Sequence, residues 1–599
     1  MRPAPPDRDP QPESGTVRRG FARPGRSRLL GGTRAGSGAG SGAGSGAKTG
    51  RIWTALPIIA AAVIPLSFLG VFFIWPLARM VALGLITDGG WDLGVFGEVL
   101  TDSRTQRVIG QTLLLALGAT AGAILLGLPG AYVLYRRTFP GRGVVRALIT
   151  VPFVLPTVVV GVAFRSLLIS NGPLGFLQLD ETVIAVIAAM VFMNFGVAVR
   201  TIGGMWAHLD PRAEEAARAL GASPRRAFFT VTLPALGPAL AAAASMIFLL
   251  CATAFGIVMV LGGARLATIE TEIYVQTTAF LDLRTAAVLS IVQLAAIVVM
   301  LVISDVFRRR RERALALGAP QENAVPLTRR DWFPASITLI TLLGLICTPL
   351  ITFVVRSLRT ASGWGLDHYR NLTTATGDGF LAVPVGEALI NSLRIAVDAT
   401  VLALVIGGLI AFVLSRRPAS RWGRGAISML DGLFMLPLGV SAVTVGFGFL
   451  VTLNQPPLDL RTSPILVPIA QAVVAIPLVV RTILPVMRAI DPRLREVAAT
   501  LGAPPRRILA TLDFPLAARA LGLAVGFAFA VAMGEFGATA FLARPDKPTL
   551  PVVIFRLIGR PGIENHGTAL AAAVILALAT GAAVFLAERW RLPGTVTEF

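Results

Sequence analysis

Lysine is almost missing from this sequence, with Lys48 and Lys547 its two examples. A phosphate-cradling P-loop needs a lysine placed directly after glycine. Ala47 precedes Lys48 where Gly-Lys-Thr requires that glycine, and Lys547 runs into Pro548. A nucleotide-hydrolysing site of that kind is therefore excluded from this chain. Cysteine is as scarce. Cys251 and Cys347 both fall inside apolar runs, which rules out a disulfide framework and leaves two small core residues. His208, His368 and His566 are far apart and show no ligand spacing, so no metal site is expected. No cluster of histidines, cysteines and carboxylates suits catalysis, and the chain is not read as an enzyme.

Charge is also thin. Asp, Glu, Lys and Arg make up 15% of the 599 residues against 54% hydrophobic ones, and the mean hydropathy is +0.73. That is too apolar for a soluble protein of this size, and the bilayer is its solvent. A hydrocarbon core of about 30 Å takes roughly 20 apolar residues per helical span. Twelve such runs occur, near 54–79, 109–135, 146–170, 182–205, 236–262, 284–305, 334–356, 390–415, 426–453, 464–487, 517–543 and 567–588. Stretches such as Ala286–Ile303 and Leu570–Leu586 are apolar all round, not alternating as barrel strands would be. The fold class expected is an all-α membrane protein with about twelve transmembrane helices.

The formal charge of +21 reads as a topology signal and not as a nucleic-acid footprint, because of where the charges sit. Arg136, Arg137, Arg142 and Arg146 follow the second span, Arg308 to Arg311 and Arg313 the sixth, and Arg416, Arg417, Arg421 and Arg424 the eighth. The loops holding Asp88 to Asp102, Asp180–Glu181, and Glu270, Glu272 and Asp282 are mixed or acidic. Positive loops stay inside, which places both termini in the cytoplasm. The first apolar run begins only after Arg51 and is long enough to span, so it is kept as a helix and not read as a signal peptide.

Residues 1–52 are rich in Pro, Gly, Ser and Arg, with a GSGAGSGAGSGA run before Lys48, and read as a disordered basic cytoplasmic tail. A polar stretch at 307–333 with Pro320 and Pro326 reads as a cytoplasmic linker. It separates a first six-helix unit, 53–306, from a second, 334–590, with a short tail at 591–599. The units repeat. Asp210–Pro234 (DPRAEEAARALGASPRRAFFTVTLP) aligns with Asp491–Pro515 (DPRLREVAATLGAPPRRILATLDFP) at an offset of 281, with 13 of 25 positions identical. The same offset carries Leu155–Pro156 onto Leu436–Pro437, Val199–Arg200–Thr201 onto Val480–Arg481–Thr482, and Phe255–Gly256 onto Phe536–Gly537. Units with an even number of spans share one orientation, which leaves a path between them.

The repeated segment is unusual for a loop. Asp210 is placed to cap a short helix with Pro211 at its first position and Gly221 at its end. Such a helix is marginal alone and needs a docking surface. Glu215 and Arg225–Arg226 flank a small-residue turn, and the second copy repeats it with Glu496, Gly502, Arg506 and Arg507.

Glu-Ala-Ala followed by glycine and then Leu-Pro, in a cytoplasmic loop before the last spans, resembles the EAA loop of bacterial ABC importer permeases. The matching residues are Glu215, Ala216, Ala217 and Gly221, then Glu496, Ala498 and Gly502, with Val497 where the motif has its first alanine. The resemblance implies two tandem type I permease units in a bacterial inner membrane and coupling helices seated on a separate ATPase dimer. ATP and magnesium then belong to that partner, with no cofactor bound by this chain. It also implies an extracytoplasmic solute-binding protein docking on the loops 80–108, 263–283, 357–389 and 544–566. The fused form resembles thiamine and ferric-iron permeases. Met246–Ala286, with Leu-Gly-Gly and an Ile-Glu-x-x-Ile-Tyr segment, is similar to the thiamine type, as is Gly534–Glu535–Phe536–Gly537. A small solute is thus expected, thiamine or its phosphates first and ferric iron second. An ion-coupled secondary transporter is the rival class, though it gives no reason for paired Glu-Ala-Ala loops.

Ionisable residues inside spans mark candidate pathways. Glu535 lies mid-span beside two glycines and is the candidate for the substrate path, with a helix-packing hydrogen bond as the competing role. Arg394 and Asp398, four apart on the eighth span, are expected to pair. Arg200 and Arg481 read as anchors near helix ends.

Overall fold

Hydrocarbon offers the backbone no hydrogen-bond partner, so a chain this apolar must satisfy its own amides within helices. Among its described residues the computed structural model is accordingly helical, with strands of two residues each. It describes residues 61–87, 90–312, 324–360, 363–373, 382–416, 421–456 and 458–589. The tail 1–52, Lys48 with it, the linker residues 313–323 and the segment 591–599 lie outside the described residues.

In the first repeat, α1 is Ala61–Leu85, α2 Ser103–Arg136, α3 Arg142–Val154, α4 Thr157–Leu168 and α5 Val183–His208. A short α6, Arg212–Ala219, precedes α7, Pro224–Ala235, and α8, Gly237–Ala252. Then come α9, Phe255–Leu261, α10, Ile269–Thr278, and α11, Leu283–Glu312. The second repeat holds α12, Arg329–Ser357, α13, Val385–Leu414, α14, Arg421–Met435, α15, Ala442–Thr452, and α16, Leu466–Ala489. It continues with α17, Pro492–Thr500, α18, Arg506–Ala518, and α19, Ala520–Gly534. It closes with α20, Gly537–Leu542, α21, Leu550–Ile558, and α22, Ile563–Arg589.

Eight of the described helices are long and apolar enough to cross a membrane, and three bent pairs (α3–α4, α7–α8, α18–α19) bring the number to eleven. The run read as a span near 426–453 is instead α14, a tight turn at Leu436–Gly439 and the eleven-residue α15. Pro437 near the start of that turn cannot continue the helical hydrogen bonding of α14. The spans read at 236–262 and 517–543 also break, at Thr253–Ala254 and at Glu535–Phe536, where the backbone turns extended for one residue. The expected pair of Arg394 and Asp398 does not form: both are exposed on α13 and no ion pair within 4 Å joins them.

Within each repeat, small residues let the long helices close. A Cβ on Gly127 of α2 would lie 2.6 Å from Ala198 of α5, and one on Gly407 of α13 would lie 2.8 Å from Val479 of α16. This is the close approach by which membrane helices gain packing energy. Between repeats, the first helices are exchanged. α1 lies along α15 of the second repeat, and α12 lies along α4 of the first. Leu69 and Phe73 of α1 are consequently buried in the second repeat's core, and Leu342 and Ile346 of α12 in the first's. Each of these helices ends in the same small hairpin. β1 (Ile86–Thr87) pairs with β2 (Gly90–Trp91) as Arg359–Thr360 pairs with Gly363–Trp364, with Gly90 at φ +120° and Gly363 at φ +125°. The turns suit glycine because L side chains avoid that region. Beyond the first hairpin, Arg284 donates to Asp92 at 2.8 Å and holds its carboxyl below the usual carboxylate range.

The described end of the linker is not a loose connection. Val325–Pro326 pairs in parallel with Arg137–Thr138, the segment that follows α2. Asp331 is buried, accepting from Tyr132 Oη at 2.7 Å, from Arg137 at 2.9 Å and from the Thr328 amide at 2.9 Å. Removing the carboxylate strands the arginine, so Asp331→Ala is expected to cost about 3 kcal/mol and to lower the melting temperature of the detergent-purified protein. Asp331→Asn, which keeps an acceptor, is expected to cost less. Equal melting temperatures for all three proteins would show that the clamp carries no stability.

Candidate functional site

The repeated loop folds as two short, separately capped helices. Asp210 accepts the Arg212 amide at 2.9 Å before α6, and Asp491 accepts the Arg493 amide at 2.9 Å before α17. Both helices end in a left-handed glycine, Gly221 at φ +91° and Gly502 at φ +81°. The amides of Gly221 and Ala222 return to Arg218 O and Ala217 O, and those of Gly502 and Ala503 to Ala499 O and Ala498 O. This double return is the Schellman motif, and it needs the positive φ of glycine. Pro211 stands one residue before the first helical residue of α6, whereas Pro492 occupies the first position of α17.

Glu215, Ala216 and Gly221 are exposed and Ala217 is half-buried; Glu496 and Gly502 are exposed and Ala498 is half-buried. Neither glutamate side chain has a hydrogen-bond or ion-pair partner among the described residues. Beside them the sequence reading missed two leucines. Leu220 and Leu501, one repeat apart, are 89% and 82% exposed at the turns before the glycines. Two large apolar side chains held in water at the same place in both copies cost free energy unless a partner covers them. The signal was present in the repeat as a shared Leu-Gly.

Each short helix is tied to the helix that follows, by different chemistry at equivalent positions. In the first copy, Thr232 Oγ1 donates to Glu214 Oε2 at 2.9 Å. In the second, Arg495 Nε donates to Asp513 Oδ1 at 2.7 Å, and Arg416 meets the same buried carboxylate at 3.2 Å. Glu214 aligns with Arg495 and Thr232 with Asp513, so the acid has changed sides while the joint is kept.

A second paired feature lies where the repeats meet. Phe255 and Phe536, equivalent in the repeat, stack with ring centroids 5.1 Å apart. Tyr274 packs on Phe255 at 5.5 Å and its equivalent Phe555 on Phe536 at 5.3 Å. The helices bearing these backing rings are pinned alike: Thr112 Oγ1 accepts the Ile269 amide at 3.0 Å, and Ser392 Oγ accepts the Leu550 amide at 2.7 Å. The glycines after the phenylalanines admit close neighbours, since a Cβ on Gly256 would meet Thr157 Oγ1 at 2.4 Å and one on Gly537 would meet Ala442 Cβ at 3.0 Å.

Glu535 stands at the break before α20, and its carboxylate is already engaged. Oε1 accepts the Ala538 amide at 2.7 Å, and Oε2 accepts the Thr539 amide at 3.0 Å and the Thr539 hydroxyl. It satisfies the free amides of a helix start inside the membrane. Glu270 is the opposite case. It belongs to the loop that reads as acidic, yet it is fully buried at the start of α10, bonded to Gln293 through Oε1, with the Ser441 hydroxyl nearby and no partner in hydrogen-bonding geometry for Oε2. Among the described residues, no group of three or more His, Cys, Asp or Glu side chains is placed to hold a metal ion.

The repeated apolar bundle, its broken helices and the paired short helices α6 and α17 define a multi-pass membrane protein built from a duplicated unit. The family of binding-protein-dependent transport system inner membrane components matches residues 123–316. The thiamine transport system permease protein ThiP of Brucella suis is 27% identical over 523 residues, covering 85% of this chain and 92% of that protein. ThiP of Escherichia coli is 28% identical, over 78% of this chain and 85% of its own length. The sulfate transport system permease protein CysT of Escherichia coli is 33% identical over 204 residues, 33% of this chain and 72% of that one. This chain belongs to that family, the inner-membrane permeases of ABC importers.

Capping, not charge, accounts for the Glu535 contacts. Glu535→Ala is therefore expected to lose about 1–2 kcal/mol of stability, the value of a helix cap, while Glu535→Gln keeps an acceptor and keeps transport. Full stability combined with lost transport in the Gln variant would instead put the charge itself on the path.

Proposed function

We propose that the chain is the permease of a thiamine importer, driven by a separate ATPase dimer that carries ATP and magnesium and fed by an extracytoplasmic solute-binding protein. The observation that carries the coupling half of this reading is the pair of Schellman-capped helices α6 and α17. Each presents an unpartnered glutamate, Glu215 or Glu496, and an exposed leucine, Leu220 or Leu501. A mixed acidic and apolar knob on a rigid turn suits a cleft in another protein, with the leucine as its buried anchor. Ala216, Ala217 and Gly221, like Ala498 and Gly502, keep the knob small and fix its turn.

Thiamine is favoured because the ThiP proteins are similar over most of both chains. A thiazolium cation calls for a carboxylate with an oxygen to spare, and Glu270 offers one where Glu535 does not. In this reading the Phe255–Phe536 contact closes the path between the repeats. Closure of the ATPase dimer moves α6 and α17, the ties at Thr232 and Asp513 carry that movement into α7 and α18, and the rings part. The loops 80–108, 263–283, 357–389 and 544–566 receive the binding protein, which places α6, α17 and both termini in the cytoplasm.

Two measurements test this. Coexpressed with the ATPase and purified through a tag, the double variant Glu215→Lys, Glu496→Lys is expected to lose the partner, as is Leu220→Asp with Leu501→Asp; retention of the ATPase by both rules out these helices as the coupling site. In proteoliposomes with the binding protein, uptake of labelled thiamine is expected, with ferric iron failing to compete. Glu270→Gln should lower that uptake about tenfold, the scale of a lost buried charge contact, without loss of the ATPase. Iron uptake in place of thiamine uptake reverses the substrate assignment.

A further inference from the structure

A cleft of about 1040 Å³ opens at the end of the bundle opposite α6 and α17, where the ends of α4 and α12, the Arg359–Trp364 hairpin and the start of α22 meet. Arg165, Arg356, Arg359 and Arg560 line it with His368 and His566, and no carboxylate is among its lining residues. Arg165 has Glu181 at 3.9 Å. Arg356 is fixed in place by neutral acceptors, the Ser166 and Asn171 carbonyls at 2.8 and 3.2 Å and Asn171 Oδ1 at 3.1 Å. The Arg359 side chain has no hydrogen bond, and no carboxylate within 4 Å, among the described residues.

Two imidazoles stand on the same wall, each with one buried ring nitrogen that the protein leaves unpartnered. His368 is 3% exposed; its Nε2 faces Arg359 O at 3.1 Å, and its Nδ1 has no partner. His566 Nε2 is likewise buried without a partner. The His368 ring lies directly on Gly567, where a Cβ would come within 2.2 Å of the ring, so that glycine makes room for the imidazole on the cleft wall. Clustered guanidiniums repel one another, although Arg359 and Arg560 are exposed to solvent, and unpartnered buried polar atoms add to the cost. An anion with several acceptor oxygens offsets the repulsion, and guanidinium forks match phosphate in shape.

The remaining wall has a different chemistry. Ile351 and Val355 of α12 line the same cleft and are 60% and 38% exposed, and Trp364 at its rim is 72% exposed. Exposed aliphatic side chains on a spanning helix meet acyl chains, and an exposed tryptophan at the end of that helix marks the headgroup level. The ligand that satisfies both walls carries a phosphate at one end and hydrocarbon at the other.

We propose that this cleft is a phosphate site occupied by the headgroup of an anionic membrane phospholipid, in the leaflet away from α6 and α17. Basic pockets between membrane helices hold lipid headgroups on the cytoplasmic side of other membranes, and here the same chemistry lies in the opposite leaflet. The lipid wedges α12 of the second repeat against α4 of the first, at one of the two places where the repeats exchange helices.

The test uses the full chain, purified in mild detergent and delipidated. Native mass spectrometry is run with phosphatidylglycerol or phosphatidylcholine added, and melting is followed with each lipid and with inorganic phosphate. Phosphatidylglycerol is expected to be retained and to raise the melting temperature, with phosphatidylcholine giving neither effect. Arg359→Gln should weaken retention about tenfold, a scale of roughly 1.4 kcal/mol. Arg359→Lys should restore part of it, and Arg107→Gln, an exposed arginine on α2, should leave it unchanged. Protection by inorganic phosphate that Arg359→Gln abolishes would keep the phosphate site and assign it a soluble ligand. Equal retention of the two lipids with no phosphate effect overturns the proposal, and so does a phosphatidylglycerol preference that survives Arg359→Gln.

Discussion

The constraint on which the rest of this structure depends is that no backbone amide goes unsatisfied in hydrocarbon. The two helices that approach the axis between the repeats, α8 and α19, both stop short of a full span, and each break frees amides where water is absent. At the second break the carboxylate of Glu535 takes up the first amides of α20. Burying a carboxylate in a membrane costs several kcal/mol, and three hydrogen bonds from its own helix start offset that cost. With the breaks stabilised, α9 and α20 can turn inward and bring Phe255 against Phe536. Thr112 and Ser392 then hold α10 and α21 behind them by one backbone amide each. The axis is thus built from interrupted helices, and the interruption is what leaves side chains of both repeats facing one another.

The outer framework answers a different requirement. Two bundles without a hydrophobic drive to associate in lipid need van der Waals contact and interlocking to stay together. The exchange of α1 and α12 supplies both, because each bundle's core contains side chains from the other's first helix. The clamp at Asp331 fits the same logic, since it fixes the start of α12 to the segment after α2.

Much of this was legible in the sequence. The two copies of the DPR…LGA…PRR segment encode the caps, the helix length and the left-handed glycine, all local features that neighbouring residues determine. The long spans were legible for the same reason. What was not legible depends on partners distant in the chain. Arg394 and Asp398 have helical spacing for a pair, but on an exposed face neither is compelled to find the other. The break between α14 and α15 was hidden by uniform hydrophobicity, with only Pro437 and Gly439 to mark it. The matching Gly-Trp hairpins at 90–91 and 363–364 escaped the repeat because they align at an offset of 273 and not 281. Glu270 read as a loop acid because hydropathy cannot tell a solvated carboxylate from one folded back into the bundle.

The departures from symmetry are as informative as the symmetry. Backbones, caps and aromatic backing match across the repeats, yet Glu535 corresponds to Ala254, Glu270 to Pro551, and the Glu214–Thr232 joint to Arg495–Asp513. Two identical halves would present any solute with two equivalent sets of contacts. In a fused chain each half mutates independently, so one charge can be placed on one side of the axis without its twin. Glu270, with an Oε2 that has no partner, occurs in one repeat alone, where the other has Pro551. The joints follow a complementary rule: their chemistry differs between halves, but both still connect the short helix to the one behind it.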